Sequence, residues 1–334
     1  TRYQSLSRGL GDVYKRQVGR RTVPLEYEPT AALAFGLAET QPWRFERSAF
    51  LSGDFGRDRD MGIRMLTPYD EDRIPVVFVH GTVSSPARWA EMVNELFADP
   101  AIMERYQFWI FQYNSGNPIP FSAGILRQSL SDLVTQLDPE GDDVNLSRMV
   151  VIGHSQGGLL TKLCAVDAGD VFWRQTSTVP IEELDLRPET REILTRSLFF
   201  EPLPFVDRVV FLATPHRGSF LADRWFSRLA SRFVSMPGEL LDVASDLFAA
   251  DDDRLMFRGL DDMPSSLDNM SSDNRFGQTL ADLEVTEGVE AHSVIAVLPS
   301  LPDIETGHDG VVTFQSARLE GVVSELVVRS GHST

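Results

Sequence analysis

Residues 153–157 read Gly-His-Ser-Gln-Gly, with a second glycine, Gly158, behind them. A serine inside G-x-S-x-G becomes an exposed nucleophile where a strand runs into the motif and a helix runs out of it. Both flanks fit: RMVVIG at 148–153 is a short β-branched run, and residues 157–167 carry helical spacing. In such a turn Ser155 holds a strained backbone that lifts its hydroxyl above the sheet. Gly153 and Gly157 must be small, because a side chain at either would meet the neighbouring strand or helix. The chemistry on offer is acyl transfer through a serine hydroxyl.

A serine hydroxyl is a weak nucleophile until an adjacent base takes its proton. In strand-turn-helix sites of this kind the partners follow in the order Ser, Asp or Glu, His. Downstream of Ser155 the histidines are His216, His292, His308 and His332. His332 sits in Arg-Ser-Gly-His-Ser, just past the last strand candidate. Asp309 sits in Gly-His-Asp-Gly-Val-Val, one loop earlier. The order 155, 309, 332 fits the rule, and His308 is the main rival base, although a residue adjacent to the acid points elsewhere. An oxyanion also needs two N–H donors. The residue after the nucleophile, Gln156, offers one. His80-Gly81-Thr82 offers the other, since Gly81 allows a sharp turn that frees the Thr82 N–H. His80 itself reads as a structural hydrogen-bonder in that loop.

The elements that must position these groups are legible as well. Continuous apolar runs at 74–80, 106–113, 148–153, 206–213, 292–298 and 324–328 read as strands, and 86–96, 121–137 and 157–167 as helices. Strands alternating with helices at this interval imply an α/β fold with a mostly parallel sheet. The rhythm breaks at about 170–204 and 219–290, read as two insertions forming a helical cap over the site. The amphipathic stretch LADRWFSRLASRF at 221–233 belongs to the second. Asn114-Ser-Gly-Asn-Pro-Ile-Pro, after the second strand, reads as lining the entrance. Residues 1–17 are polar, unpatterned and unlike the rest of the chain, and are expected to be a non-native leader. Residues 18–73, with a short helix at 29–39 and turns at 50–62, read as an N-terminal extension packed on a main domain at 74–334.

Taken together, HGT at 80–82, GHSQGG at 153–158, ATPHRGS at 213–219, DGVV at 309–312 and SGH at 330–332 resemble the α/β-hydrolase superfamily, and within it the lipase and esterase members. The resemblance covers 74–218 and 289–332. It implies a Ser155, Asp309 and His332 triad, Thr82 and Gln156 as oxyanion donors, and no cofactor or metal. His80, Gly81, Gly153, His154, Gly157 and Gly158 would support the loop and elbow. His216 and Arg217 would form the pocket wall or its frame, alongside Asn114. It also implies a helix after the catalytic histidine, and leans towards an exported, periplasmic or membrane-anchored native protein.

Composition narrows the partners. The 334 residues carry 49 acidic and 31 basic side chains, a formal charge of −18, which repels phosphate backbones and anionic membrane surfaces. With 42% apolar residues the chain can bury a substantial core. Its one cysteine, Cys164, excludes both an intramolecular disulfide and a cysteine metal cluster. The acidic groups at 251–253 and 261–262 lack regular calcium-ligand spacing and read as a solvated face. No apolar run reaches the ~20 residues of a membrane span. The expected substrate is a small-molecule or lipid ester, with transient contact at a lipid interface. The competing readings are a thioesterase or amidase with the same triad, and a non-catalytic hydrolase-like binding protein. An intact triad argues against the last.

Overall fold

A computed structural model describes residues 15–18, 21–24, 61–219, 238–249 and 265–333. Near the start, β1 (Lys15–Val18) and β2 (Arg21–Pro24) pair antiparallel in a ladder separate from the main sheet, joining residues on both sides of position 17. The helix expected at 29–39, the stretch 221–233 and the acidic groups at 251–253 and 261–262 lie outside the described residues.

Among the described residues seven strands build the main sheet: β3 (Gly62–Met65), β4 (Ile74–Val79), β5 (Tyr106–Gln112), β6 (Met149–His154), β7 (Val206–Leu212), β8 (Glu290–Val297) and β9 (Ser324–Arg329). They lie in the order 3-5-4-6-7-8-9, β3 antiparallel to β5 and all other neighbours parallel. Every residue of β4 is buried, as expected of a strand covered on both faces. The sheet starts earlier than position 74. β3 falls inside the segment read as an extension, yet Gly62 to Met65 pair with Gln112 to Trp109 in the same sheet. Four residues beside a Gly- and Asp-rich turn carry too little pattern to announce a strand, and the exposed edge of β5 supplies the pairing.

Helices α1 (Ala90–Ala98), α2 (Pro100–Arg105), α3 (Ile119–Leu137) and α4 (Gln156–Lys162) connect the first four parallel strands. A 3₁₀ turn at Pro86–Trp89 precedes α1, with Ser85 Oγ accepting from the Ala87 N–H at 3.2 Å. α3 begins two residues before position 121, because proline is tolerated in a first helical turn. α4 stops short of 167. After Lys162 the chain tightens, with Cys164 N–H donating to Thr161 and Ala165 N–H to Lys162.

The first interruption, 170–204, contains α5 (Pro188–Leu198). The second, 219–290, contains α6 (Gly238–Ala249), α7 (Ser266–Asn269) and α8 (Arg275–Asp282). The two insertions share a core of their own, in which Trp173, Ile181, Leu184 and Leu194 pack against Val243 and Leu247. Arg187 Nε donates to Asp246 at 2.7 Å along its exposed edge. Buried Lys162 ties the second insertion to α4, its ammonium donating to the Leu280 carbonyl at 2.7 Å and the Ala281 carbonyl at 3.3 Å. A last short helix, α9 (Phe314–Ala317), lies between β8 and β9.

His80, directly after β4 in the chain, is wholly buried, stacked on Tyr113 at 4.3 Å with Nδ1 3.0 Å from the Gly81 carbonyl. Burial lowers its pKa to about 4, against loop hydrogen bonds that favour the charged form. His154 is lowered to about 4, first by burial and then by the charge of His332. Between pH 6.5 and 4 the unfolded chain binds protons that these folded rings refuse, so stability falls as pH falls through that window, by about 1.4 kcal/mol per pH unit per ring. Urea unfolding at pH 7, 5.5 and 4.5 should show this decline, and a shallower one in His80→Gln; identical slopes would remove His80 from the account. A second expectation concerns packing. A Cβ on Gly157 would lie 2.2 Å from the Val79 carbonyl oxygen and 2.5 Å from that of His80, both backbone atoms. Gly157→Ala should therefore cost about 3 kcal/mol or more in urea unfolding, whereas wild-type stability in this variant would mean that α4 stands farther from β4.

Candidate active site

At the C-terminal end of β6 the chain turns straight into α4, and Ser155 occupies the turn with φ 55° and ψ −126°. Such a backbone costs about 1–3 kcal/mol for a residue with a Cβ and persists only where packing imposes it. Packing does so here. A Cβ on Gly153 would meet the Gly157 carbonyl oxygen at 2.3 Å, and one on Gly158 would meet Thr214 Oγ1 at 1.8 Å. The Ser155 N–H donates to the Leu212 carbonyl of β7 at 2.9 Å, and the Ser155 carbonyl accepts from Gly158.

The loops after β8 and β9 bring Asp309 and His332 to this serine. His332 Nε2 lies 2.9 Å from Ser155 Oγ, and His332 Nδ1 lies 2.6 Å from Asp309 Oδ2. A carboxylate only accepts, so Nδ1 carries the proton and Nε2 is left to accept from the serine hydroxyl. The other carboxylate oxygen, Oδ1, accepts from the N–H groups of Val311 at 2.8 Å and Val312 at 2.7 Å, which fixes the acid. Asp309 is almost fully buried. The His332 N–H also donates to the Asp309 carbonyl at 3.0 Å.

Thr82 and Gln156 are brought together as well. Thr82 Oγ1 donates to Gln156 Oε1 at 2.6 Å, and Gln156 Nε2 donates to the Ser115 carbonyl at 3.1 Å. Gln156 opens α4, where first-turn N–H groups have no helical acceptor. A Cβ on Gly81 would stand 2.9 Å from the Ser155 Cβ, so only glycine lets this loop approach Ser155 so closely. Ser115 is the brace. Its hydroxyl accepts from the Val83 N–H at 3.1 Å, and its carbonyl accepts from Ser266 Oγ at 2.6 Å. Sequence reasoning missed Ser115 and Ser266, since a turn and a short helix 151 residues apart carry no signal of meeting. It also placed 114–120 at the entrance. Asn114, Ser115 and Asn117 are buried between the loop at 80–83 and α7, while Pro118 and Pro120 of the same segment line the cavity described below.

The other candidates are held elsewhere. His308 Nδ1 accepts from the Gly310 N–H at 3.0 Å. His292 pairs with Ser324 Oγ at 2.8 Å near the start of β8, the opposite end of the strand from the elbow. His216 is buried edge-on against Phe211, and burial drives its pKa well below 6.5. Arg217 Nη1 donates to the carbonyls of Gln315 and Arg318. Asn114 Oδ1 accepts from the Gly116 N–H. His216, Arg217 and Asn114 frame loops around the site; none hydrogen-bonds to Ser155, Asp309 or His332 among the described residues.

A cavity of about 410 Å³ opens between α3, α5, α6 and α8, with walls including Phe121, Phe172, Leu194, Leu198, Leu240 and Phe276. Asn269 also lines it, and the next residue, Met270, places its sulfur 3.8 Å from Thr82 Oγ1. Among the described residues no group of three or more His, Cys, Asp or Glu side chains is arranged to hold a metal. No described helix is long and apolar enough to cross a membrane.

Similar folds occur among solved structures. The lipase BlEst2 of Bacillus licheniformis, in its mature form, aligns at 14% identity and TM-score 0.46, over 81% of this chain and 91% of that one. The phospholipase PlaB of Legionella pneumophila aligns at 16% and 0.42, over 74% of this chain and 45% of its own. The metagenomic carboxyl esterase MGS0156 aligns at 18% and 0.39, over 85% and 76%. At these scores the likenesses bear on neither substrate nor mechanism. No curated protein sequence is similar enough to count as a match. A family model does match, and it spans residues 76–333, from β4 through the loop that carries His332. With a mostly parallel sheet and a serine turn at the end of its central strand, this chain belongs to the alpha/beta hydrolase family.

Proposed function

We propose that the protein is a serine hydrolase of carboxylic esters, with Ser155 as nucleophile, His332 as general base and acid, and Asp309 as the group that orients the imidazole. The supporting observation is the unbroken relay from Ser155 Oγ through both nitrogens of His332 to Asp309, at 2.9 and 2.6 Å. In the acylation step Oγ bonds to the ester carbonyl carbon while its proton passes to His332 Nε2. The carbonyl oxygen becomes an oxyanion facing the Thr82 and Gln156 N–H groups, a kind of interaction worth about 3–4 kcal/mol per donor. The imidazolium, balanced by Asp309, then protonates the leaving alkoxide as the C–O bond breaks. Water attacks the acyl-enzyme by the same route in reverse roles, and the proton returns to Ser155.

Thioesters and amides would use the same relay. Esters are the leading reading; the cavity walls are mostly apolar, which suits an acyl chain. The contact of Met270, next to the cavity-lining Asn269, with Thr82 supports a chain end seated within the insertions. A non-catalytic binding protein would have no use for an orienting acid held by two backbone N–H groups.

Hydrolysis of p-nitrophenyl butyrate should fall by about 10³-fold or more in Ser155→Ala and in His332→Ala, with His308→Ala near wild type. Equal rates for Ser155→Ala and wild type would sink the nucleophile assignment, and loss in His308→Ala alone would move the base. Leu194→Trp fills the cavity and should cut kcat/KM on the octanoate ester at least tenfold while sparing the acetate ester; no change on either would take the acyl chain elsewhere.

A further inference from the structure

The residue before the nucleophile holds the backbone of the proposed base. His154 Nε2 lies 2.7 Å from the carbonyl oxygen of His332. A carbonyl can only accept, so the proton of neutral His154 sits on Nε2 and is donated to it. The two rings are tilted against each other with centroids 5.0 Å apart, and buried Trp89 meets His154 edge-on at 6.5 Å. Nδ1 faces the oxyanion loop, where a Cβ on Gly81 would lie 3.3 Å away.

His332 leaves the sheet on a short loop, with Ser330 N–H donating to the Val297 carbonyl as the last strand-like bond. Beyond that point its N–H is fixed by Asp309 and its carbonyl by His154. Asp309 sets the distance from base to acid. The His154 bond refers the backbone of His332 directly to the strand that carries the nucleophile, because His154 and Ser155 are consecutive residues. The contact closes a small ring, from Ser155 Oγ through His332 and its carbonyl to the His154 imidazole and back along one peptide bond to Ser155.

We propose that His154 is a positioning residue: its donated hydrogen bond fixes His332 at reacting distance from Ser155. The proposal rests on the triad reading and adds to it a group that touches no substrate. The charged and titratable groups facing His154 are His332, Asp309 and Arg88, with His80 behind the loop. When His332 takes the proton from Ser155, a neutral His154 adds no charge beside the new imidazolium. The buried ring therefore serves as a donor that does not compete with Asp309 for the cation.

The experiment compares His154→Leu, His154→Gln and His154→Asn with wild type on p-nitrophenyl butyrate, alongside thermal unfolding and the low-field proton resonance of the His332–Asp309 hydrogen bond. Leu has no donor and Asn is too short to reach the carbonyl, whereas the Gln amide spans about the same distance as Nε2. Leu and Asn should lower kcat ten- to a hundredfold, the scale of a misplaced catalytic group, with KM within about twofold and a broadened low-field proton. Gln should restore kcat to within a few-fold of wild type. If Leu does not fold, the contrast between Gln and Asn decides. Wild-type kcat in Leu or Asn, or an equal loss in Gln and Asn, would overturn the proposal. Neither result touches the triad, whose own failure would appear as activity retained in Ser155→Ala.

Discussion

The arrangement depends on how closely α4 approaches the strands that precede it. Its first turn lies against the carbonyl oxygens of Val79 and His80 at a separation that admits no Cβ at position 157, and Gly153 and Gly158 relieve the same crowding towards α4 itself and Thr214. With those contacts in place the chain has one way to leave β6, and Ser155 takes a backbone that a residue with a side chain ordinarily avoids. The strain is offset by packing on three sides. Were α4 farther out, the serine would relax and its hydroxyl would turn away from the loops after β8 and β9.

Parallel strands end on one side of a sheet, so residues far apart in the chain can share a site there. Ser155, Asp309 and His332 use that property, arriving from the ends of β6, β8 and β9. Each is then held by backbone groups or through its own backbone rather than by long flexible side chains. Asp309 accepts two N–H groups, His332 is fixed at its own N–H and carbonyl, and the loop at 80–83 is braced through Ser115. Around this frame lie His80, His154 and His216, which burial keeps neutral. Under the proposed reading, these uncharged rings add no positive charge beside His332 to compete with the carboxylate of Asp309.

The insertions obey different physics. Their helices share a small core around Trp173, Leu194, Val243 and Leu247, while Leu198, Met270, Phe276 and Leu280 pack on the core of the sheet domain. Lys162 is a further tie. Its ammonium is buried against two carbonyls at the end of α8, and that burial pulls its pKa down to about 8. A unit with its own small core can leave space between itself and the main domain, and the cavity beside α3 is that space.

How much of this is readable from the residues alone depends on the range of each interaction. The buried strands, the serine turn and the glycines around it are legible because continuous apolar runs and a strand-turn-helix junction are local patterns. The order of Ser155, Asp309 and His332 is legible because chain order reflects where parallel strands end. The edge strand β3 is not, since four residues acquire strand character only from pairing with β5. Nor is the burial of 114–119, whose polar residues resemble any surface turn until Val83, Gln156 and Ser266 close over them. The bond from His154 to the His332 carbonyl lies beyond sequence reasoning for the same reason: its partners are 178 residues apart and one of them is a backbone atom, which every residue possesses. Sequence determines which side chains are available and which local conformations they favour; which backbone groups those side chains meet is decided only when the sheet brings distant loops to a common edge.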